Sequence, residues 1–277
     1  MERRKFIKIL AAGITGLTFF PIFKYSENNL HAAVFLQING EYFKKMKNFA
    51  QPDADDIYLK LSQKNILKSV LKRLNRIQTQ IGYSNFCLLN FDEALKTAYG
   101  YTTIGSFTKQ EIDFLEMLFY NDAKIYGFYG AKPLNNITGK IDASKAIKIK
   151  NTGNFVYNGL ALETYNKILK DIGGDVILIS GIRGIVKQFY LFLNKLKRSG
   201  GNLSLSSRSL APPGYSYHGI GDFDVGKSGY GVLNFTNDFT KTDVYKKLVK
   251  LGYINFRYPQ NNRLGVRFEP WHIKLKN

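Results

Sequence analysis

The sequence contains little sulfur and little imidazole. Its 277 residues include one cysteine, three histidines and one tryptophan. A single cysteine, Cys87, excludes an intramolecular disulfide and any zinc knuckle made of cysteines. A metal site in this chain would therefore have to be built from histidine, aspartate and glutamate.

Acidic residues are also scarce, with 21 of them against 40 lysines and arginines, which gives a formal net charge of +19. Such a charge is typical of a protein that binds a polyanion, and equally of a surface that is merely well solvated. Apolar residues make up 44% of the chain and aromatic residues 14%, which is enough for a packed core. The length allows one large domain or two modest ones.

The uncharged run near the start, from Ile9 to Phe23, is shorter than the roughly twenty apolar residues of a membrane-spanning helix. It follows a basic stretch, "MERRKFIK", as in an export signal. Arg3 and Arg4 resemble the twin-arginine export motif. We therefore predict a signal or anchor at residues 1–30, export to the periplasm or cell envelope, and membrane attachment through residues 1–25 if the signal is retained.

The rest of the chain predicts an α+β fold. Residues 31–130 are expected to be mostly helical, with an amphipathic helix at 56–80 and a helix capped by Thr108 and Glu111. Residues 131–277 alternate between helical and strand patterns, including the strand "DVILIS" and closing strands at "FRYP" and "GVRFEPWHIKL". We expect these residues to form a catalytic domain in which helices flank a small antiparallel sheet.

The two histidines outside the export region both have carboxylates nearby. His218 precedes Asp222 and Asp224, and His272 follows Glu269. A catalytic zinc ion takes three protein ligands and one open position. His218, one of the two aspartates and His272 could supply the ligands, with Glu269 left as a base, provided that the chain bends at Pro270. The alternative is that both histidines are ordinary hydrogen-bonded residues.

Three segments of this half resemble the VanY/VanX-type zinc D-alanyl-D-alanine carboxypeptidases. "SYHGIGDFD" is similar to the family's S-x-H-x-x-G-x-A-x-D motif, "EPWH" to its E-x-W-H motif, and "SGIRGIVKQ" to its S-x-Y-R-S-x-x-x-Q segment. The segments occur in family order. The resemblance departs from the family in the "SYHGIGDFD" segment, where Asp224 follows His218 by six positions instead of seven, and the "DVG" register favours Asp224 over Asp222.

The resemblance implies a Zn²⁺ enzyme with three ligands, His218, Asp224 and His272. It also implies that Glu269 is the general base and then the acid, and that Arg183 stabilises the oxyanion. The same resemblance implies that Ser216 and Gln188, together with Arg183, bind the substrate. The implied substrate is the D-Ala-D-Ala end of a peptidoglycan stem peptide, with no nucleic acid as a partner. L,D-carboxypeptidase and endopeptidase action with the same site stay open, as does the oligomeric state.

Other parts of the sequence are compatible with two other functions. A serine D,D-peptidase would use "SFTK" at Ser106–Lys109 and "KSG" at Lys227–Gly229, but such matches arise easily in a lysine-rich chain. A non-catalytic module that binds wall polymer or another polyanion would explain the charge. It would leave the histidine and carboxylate pattern unexplained.

Overall fold

The computed structural model describes residues 40–275. The predicted export signal and membrane attachment lie outside the described residues. The chain divides into two compact units, Met1–Tyr42 and Phe43–Asn277. Of the first unit only residues 40–42 are described, and they are helical. Within residues 40–275, every helix is too short or too polar to cross a bilayer.

The first part of the larger unit is helical, as predicted. Its main helices are α1 (Leu61–Ile81), α2 (Phe91–Gly100) and α3 (Lys109–Tyr120). The apolar residues of α1 recur at three- and four-residue spacing, so they fall on one face of the helix. That face is buried, and it consists of Leu67, Val70, Leu71, Leu74 and Ile77.

A buried carboxylate ties α1 to the start of α3. Thr108 and Glu111 form the predicted capping box. The Glu111 carboxylate also accepts hydrogen bonds from Ser69 Oγ at 2.5 Å and Arg73 Nε at 3.2 Å. Burial raises the pKa of Glu111, but these bonds outweigh it and hold the pKa below its ordinary value.

The second part of the unit contains two small antiparallel sheets. One pairs β1 (Ala146–Lys148) with β2 (Phe155–Tyr157). The other has the order β3–β4–β5, with β3 at Val176–Ser180, β4 at Phe223–Lys227 and β5 at His272–Ile273. The helices of this part are α4 (Leu160–Ile172), α5 (Ile185–Arg198), α6 (Leu203–Ser207) and α7 (Asp243–Lys250). The predicted α+β fold class is confirmed.

The strand prediction near the end of the described chain was partly wrong. Phe256–Pro259 forms no strand, and of Gly265–Leu275 only His272–Ile273 is extended and paired. Backbone groups there find scattered partners instead of a ladder. The Arg267 N–H donates to Arg208 O at 2.8 Å, and the Glu269 N–H donates to Tyr258 O at 3.3 Å. Alternating apolar residues predict strands only where a neighbouring strand is available.

The apolar side chains form two cores. One gathers α1, α2 and α3 with the apolar face of α5. The other gathers α4 and α7 with the β3–β4–β5 sheet and the sole tryptophan, Trp271. Helix α5 thus belongs to the first core, although it follows β3 in the chain. The predicted boundaries at residues 30 and 130 stay predictions.

We expect Glu111→Gln to lower the free energy of unfolding by about 2 kcal/mol at neutral pH, because the neutral amide loses charge-assisted hydrogen bonds. The folded-state pKa of Glu111 is depressed, so its stabilisation is present above the ordinary glutamate pKa of about 4.3 and is lost as the pH falls further. The difference in the free energy of unfolding between wild type and variant should therefore become smaller in acid. Urea unfolding across pH measures it, with exposed Glu116→Gln as the control. A gap independent of pH would contradict the assignment.

Candidate metal centre and adjoining cavity

The central strand β4 places Asp224 between the two neighbouring strands. Asp224 lies opposite Ser180 of β3 and opposite His272 of β5. Its neighbour Phe223 points to the other face, where it is fully buried against Tyr165 in the second core. Side chains alternate across a sheet, so this register fixes which face the carboxylate occupies.

A bulge in β3 adjusts the chain beside Asp224. Leu178 pairs with Val225, but the next pair is Ser180 with Asp224, so β3 carries one extra residue, Ile179. Bulges commonly re-aim side chains next to functional sites. The chain then turns at Gly181, where an added Cβ would lie 1.9 Å from the Phe155 carbonyl oxygen. Only glycine fits there.

The Gly181 carbonyl fixes the orientation of His218. This histidine lies in a buried 3₁₀ turn, Tyr217–Gly219. Its Nδ1 is 2.9 Å from Gly181 O, and a carbonyl can only accept, so Nδ1 carries the hydrogen. Nε2 then presents a lone pair 3.3 Å from Asp224 Oδ1. Burial, followed by the Arg183 charge, lowers the pKa of His218, which keeps the ring neutral, as a metal ligand must be.

Asp222 orients His272 in the same way. His272 Nε2 lies 2.8 Å from Asp222 Oδ2, and its Nδ1 faces Asp224 Oδ1 at 3.1 Å. Asp222 is itself held by Arg257 Nε and by the Leu275 N–H at 3.1 Å. Burial lowers the pKa of His272, but Asp222 and Asp224 outweigh it and raise the pKa to about 9. A metal ion at Nδ1 would take the place of a proton.

These contacts bring together one ligand atom each from His218, Asp224 and His272, all within 4.8 Å of one another and all on buried residues. Asp222 is outside this group. Asp224 Oδ1 and His272 Nδ1 are buried without a hydrogen-bond partner among the described residues. Two nitrogen ligands and one carboxylate are a donor set that zinc uses in catalytic sites. Buried acceptor atoms that have no hydrogen-bond partner and lie close together are suited to binding a cation.

Glu269 lies at the edge of the group, with Oε2 3.8 Å from His272 Nδ1 and a side chain that is 14% exposed. The His272 N–H donates to Glu269 O at 3.3 Å, which closes the turn predicted at Pro270. Through this turn both side chains reach the same place, which a straight strand would prevent. Burial, then the nearby Asp224 charge, raises the pKa of Glu269 to about 7 against the opposing charges of His272 and two arginines.

Arg183 reaches the group at Asp224. Its Nη2 donates to Ser180 Oγ at 2.9 Å and lies 3.8 Å from Asp224 Oδ2. Its Nη1 donates to Gln188 Oε1 at 3.1 Å, and the Gln188 amide nitrogen donates to Ala211 O. Both ends of the Gln188 side chain are therefore engaged, and it positions Arg183. The guanidinium has five N–H donors, so it retains others for a ligand.

Ser216 is buried beside His218, and its Oγ accepts a hydrogen bond from the His218 N–H at 3.4 Å. This contact caps the turn that carries His218. The residues of the serine-peptidase alternative lie elsewhere: Ser106 and Lys109 are exposed, and Lys109 pairs with Asp113 at 2.9 Å. Lys227 pairs with Asp243. The geometry therefore offers no activated serine at these motifs.

A cavity of about 660 Å³ adjoins the group through Ser180 and Arg183. Sequence reasoning missed this cavity, because its walls come from distant parts of the chain, including Phe49, Lys195 and Arg267. The sequence indicated Asp222 only as an alternative to Asp224 as a metal ligand. Asp222 and Asp224 are two residues apart, which on a strand places both side chains on the same face of the sheet. This spacing does not reveal that one is a ligand and the other orients His272.

Residues 159–276 match the family model of VanY, D-alanyl-D-alanine carboxypeptidase. This part of the chain, less than half of its length, is similar to the VanY family. The match confirms the resemblance seen in the sequence and the prediction of a peptidase. The predicted zinc ligands, the predicted base and the three predicted substrate-binding residues, Arg183, Gln188 and Ser216, all lie inside the matched range.

Several solved structures are similar to this chain. A mutant of the vancomycin-resistance D,D-pentapeptidase VanY from a VanB-type cassette, in complex with Zn(II), is 21% identical over 55% of this chain and 86% of its own, with a TM-score of 0.39. VanYB in complex with D-alanine-D-alanine is 21% identical over 52% and 82%, with a TM-score of 0.39. The LD-carboxypeptidase LdcB is 23% identical over 46% and 61%, with a TM-score of 0.36. No curated protein sequence matches the chain.

We expect Zn²⁺ to raise the unfolding temperature of the purified protein, and His272→Ala to abolish the rise. Asp222→Asn should keep the ligands but weaken zinc binding by about 10- to 100-fold, because His272 loses its carboxylate partner. Competition with a chromogenic chelator measures the affinity, and Asp243→Asn, on the surface, is the matched control. Wild-type affinity in Asp222→Asn would show that His272 is oriented by other contacts.

Proposed function

We propose that this protein is a zinc-dependent carboxypeptidase that hydrolyses the terminal D-Ala-D-Ala bond of peptidoglycan stem peptides. The observation that carries the proposal is the convergence of His218, Asp224 and His272, within 4.8 Å, inside the residues that match the VanY family. Glu269 beside His272 and Arg183 beside Asp224 complete a set of groups suited to peptide hydrolysis.

His218 Nε2, Asp224 Oδ1 and His272 Nδ1 would hold the zinc ion. When bound, zinc supplies a Lewis acid that makes water a nucleophile near neutral pH and polarises the scissile carbonyl. The protein contributes the fixed orientation of its ligands. Gly181 O holds one histidine and Asp222 holds the other, so little rearrangement is needed when the metal binds.

Glu269 is placed to move the proton. It takes one proton from the attacking water as the new C–O bond forms, and it delivers that proton to the amine of the departing D-alanine as the C–N bond breaks. Arg183 offsets the negative charge that develops on the carbonyl oxygen. Gln188 holds Arg183 in place. The Ser216 hydroxyl would donate a hydrogen bond to the terminal carboxylate of the substrate.

The proposed substrate requires export, because peptidoglycan lies outside the cytoplasm. The basic and apolar pattern of residues 1–30 supports such a route. We therefore place the enzyme in the periplasm or cell envelope, with residues 1–25 as the candidate attachment to the membrane.

The first measurement is release of D-alanine from a muropeptide pentapeptide by the purified protein. We expect release to stop with a chelator and to return with added zinc. Glu269→Ala should bind zinc with wild-type affinity yet lose about 10²- to 10⁴-fold in kcat, because it removes the proton carrier. His272→Ala should lose both zinc and activity.

Exposed Glu163→Ala, elsewhere in the matched range, is the control for Glu269→Ala. Full activity in Glu269→Ala would refute the proton-transfer role. Release of D-alanine only from a tetrapeptide would make the enzyme an L,D-carboxypeptidase, and cleavage only of cross-linked material would make it an endopeptidase. Absence of cleavage and of bound zinc would leave the basic wall-binding module.

A further inference from the structure

The cavity beside the metal group carries an unusual excess of one charge. Five of its lining residues are cationic: Arg183, Lys187, Lys195, Arg198 and Arg267. No aspartate or glutamate is among the described residues that line it. Three of the five come from α5, which is the helix shared with the first core.

Most of these charges lack an acidic partner. Arg183 has Asp224 at 3.8 Å, but within the described chain no carboxylate lies at ion-pair distance from the other four. The Lys187 ammonium lies over the rings of Phe86 and Tyr190. Lys187, Lys195 and Arg267 are partly buried, and Arg198 is exposed at the rim. Partly buried cations without counterions are unfavourable unless something anionic binds there.

Arg267 shows this most clearly. Its guanidinium carbon lies 5.1 Å from the ring centre of Phe49 and 4.8 Å from that of Trp271. The two rings fix its position, yet Nε is buried without a hydrogen-bond partner among residues 40–275. Burial, then the charges of Arg267 and Arg198, lowers the pKa of Lys195, which confirms that these cations share one space.

A single terminal carboxylate is too little charge for this cavity. Asp224 offsets Arg183, and the charges of Glu269 and Asp224 act on Arg267 against the burial that lowers its pKa. This leaves Lys187, Lys195 and Arg198. The C-terminal carboxylate of a peptide would neutralise one of these three. The remaining charges would attract a further anionic group on the same ligand, and they would repel a cationic one.

We propose that this cavity binds a second carboxylate of the stem peptide, so that the enzyme selects peptides with an acidic group close to the D-Ala-D-Ala end over peptides with a basic one. This inference rests on the proposed function, since it names the substrate class of the same site. Lys195 and Arg198 would be specificity-determining residues. They lie two and three turns along α5 from Lys187, away from the metal group.

Three peptides test the selection: N-acetyl-L-Glu-D-Ala-D-Ala, its L-Gln analogue and its L-Lys analogue. We expect kcat/KM to fall in that order, with about a tenfold step between the acidic and neutral peptides at low salt, and a smaller step at high salt. The double variant Lys195→Gln/Arg198→Gln should reduce the acidic preference to near unity. Arg198→Glu should raise the relative rate of the lysine peptide.

Lys197→Gln is the matched control, because Lys197 lies on the same helix and is exposed like Arg198, but it lies outside the cavity. It should keep the wild-type preference. Equal kcat/KM for the three peptides, or a preference that survives the double variant, would overturn the inference and leave the proposed function intact.

A binding measurement without turnover tests the cavity's preference separately from the proposed carboxypeptidase activity. Trp271 is the only tryptophan in the chain and contacts Arg267, so its fluorescence reports on the cavity. With the chelator-treated protein, the glutamate peptide should change this emission at lower concentration than the lysine peptide. That difference, together with no D-alanine release by the zinc-loaded protein, would uphold the cavity and refute the carboxypeptidase. No difference between the peptides would refute the cavity.

Discussion

The register of one short strand holds this site together. Asp224 on β4 lies opposite Ser180 of β3 and opposite His272 of β5. Ser180 accepts a hydrogen bond from Arg183, so the position of Asp224 aligns Arg183 with His272. A shift of one residue would exchange Asp224 with Phe223, which fills the second core. The apolar packing of Phe223 therefore specifies where the carboxylate lies, and the chemistry depends on a packing constraint.

The electrostatics of the site couple folding to ligand binding. Asp224, His218 and His272 are buried together, and burial raises the pKa of Asp224 while the two histidines hold it well below its usual range. Burying charged groups is costly unless they are paired. A metal ion would satisfy the orphaned lone pairs and add its binding free energy to the stability of the fold.

Much of the site could be predicted from the sequence, because rare residues mark it. With only three histidines in the chain, the neighbours of His218 and His272 stand out, and Pro270 explains how Glu269 and His272 converge. The prediction of a strand at residues 256–259 was wrong, because a strand forms only beside a neighbouring strand, and the local sequence does not reveal whether one is present. The cavity could not be predicted, since Phe49 and Arg267 meet only through tertiary packing.

Helix α5 carries cavity cations on one face and belongs to the helical core on the other. Its buried residues include Phe189, Phe192 and Leu196, which pack with α1 and α2. A fragment limited to the family-matched residues would expose this aromatic and aliphatic stripe to water and would be prone to aggregate. Structural and enzymatic work on the catalytic half should therefore retain the preceding helices in the expression product.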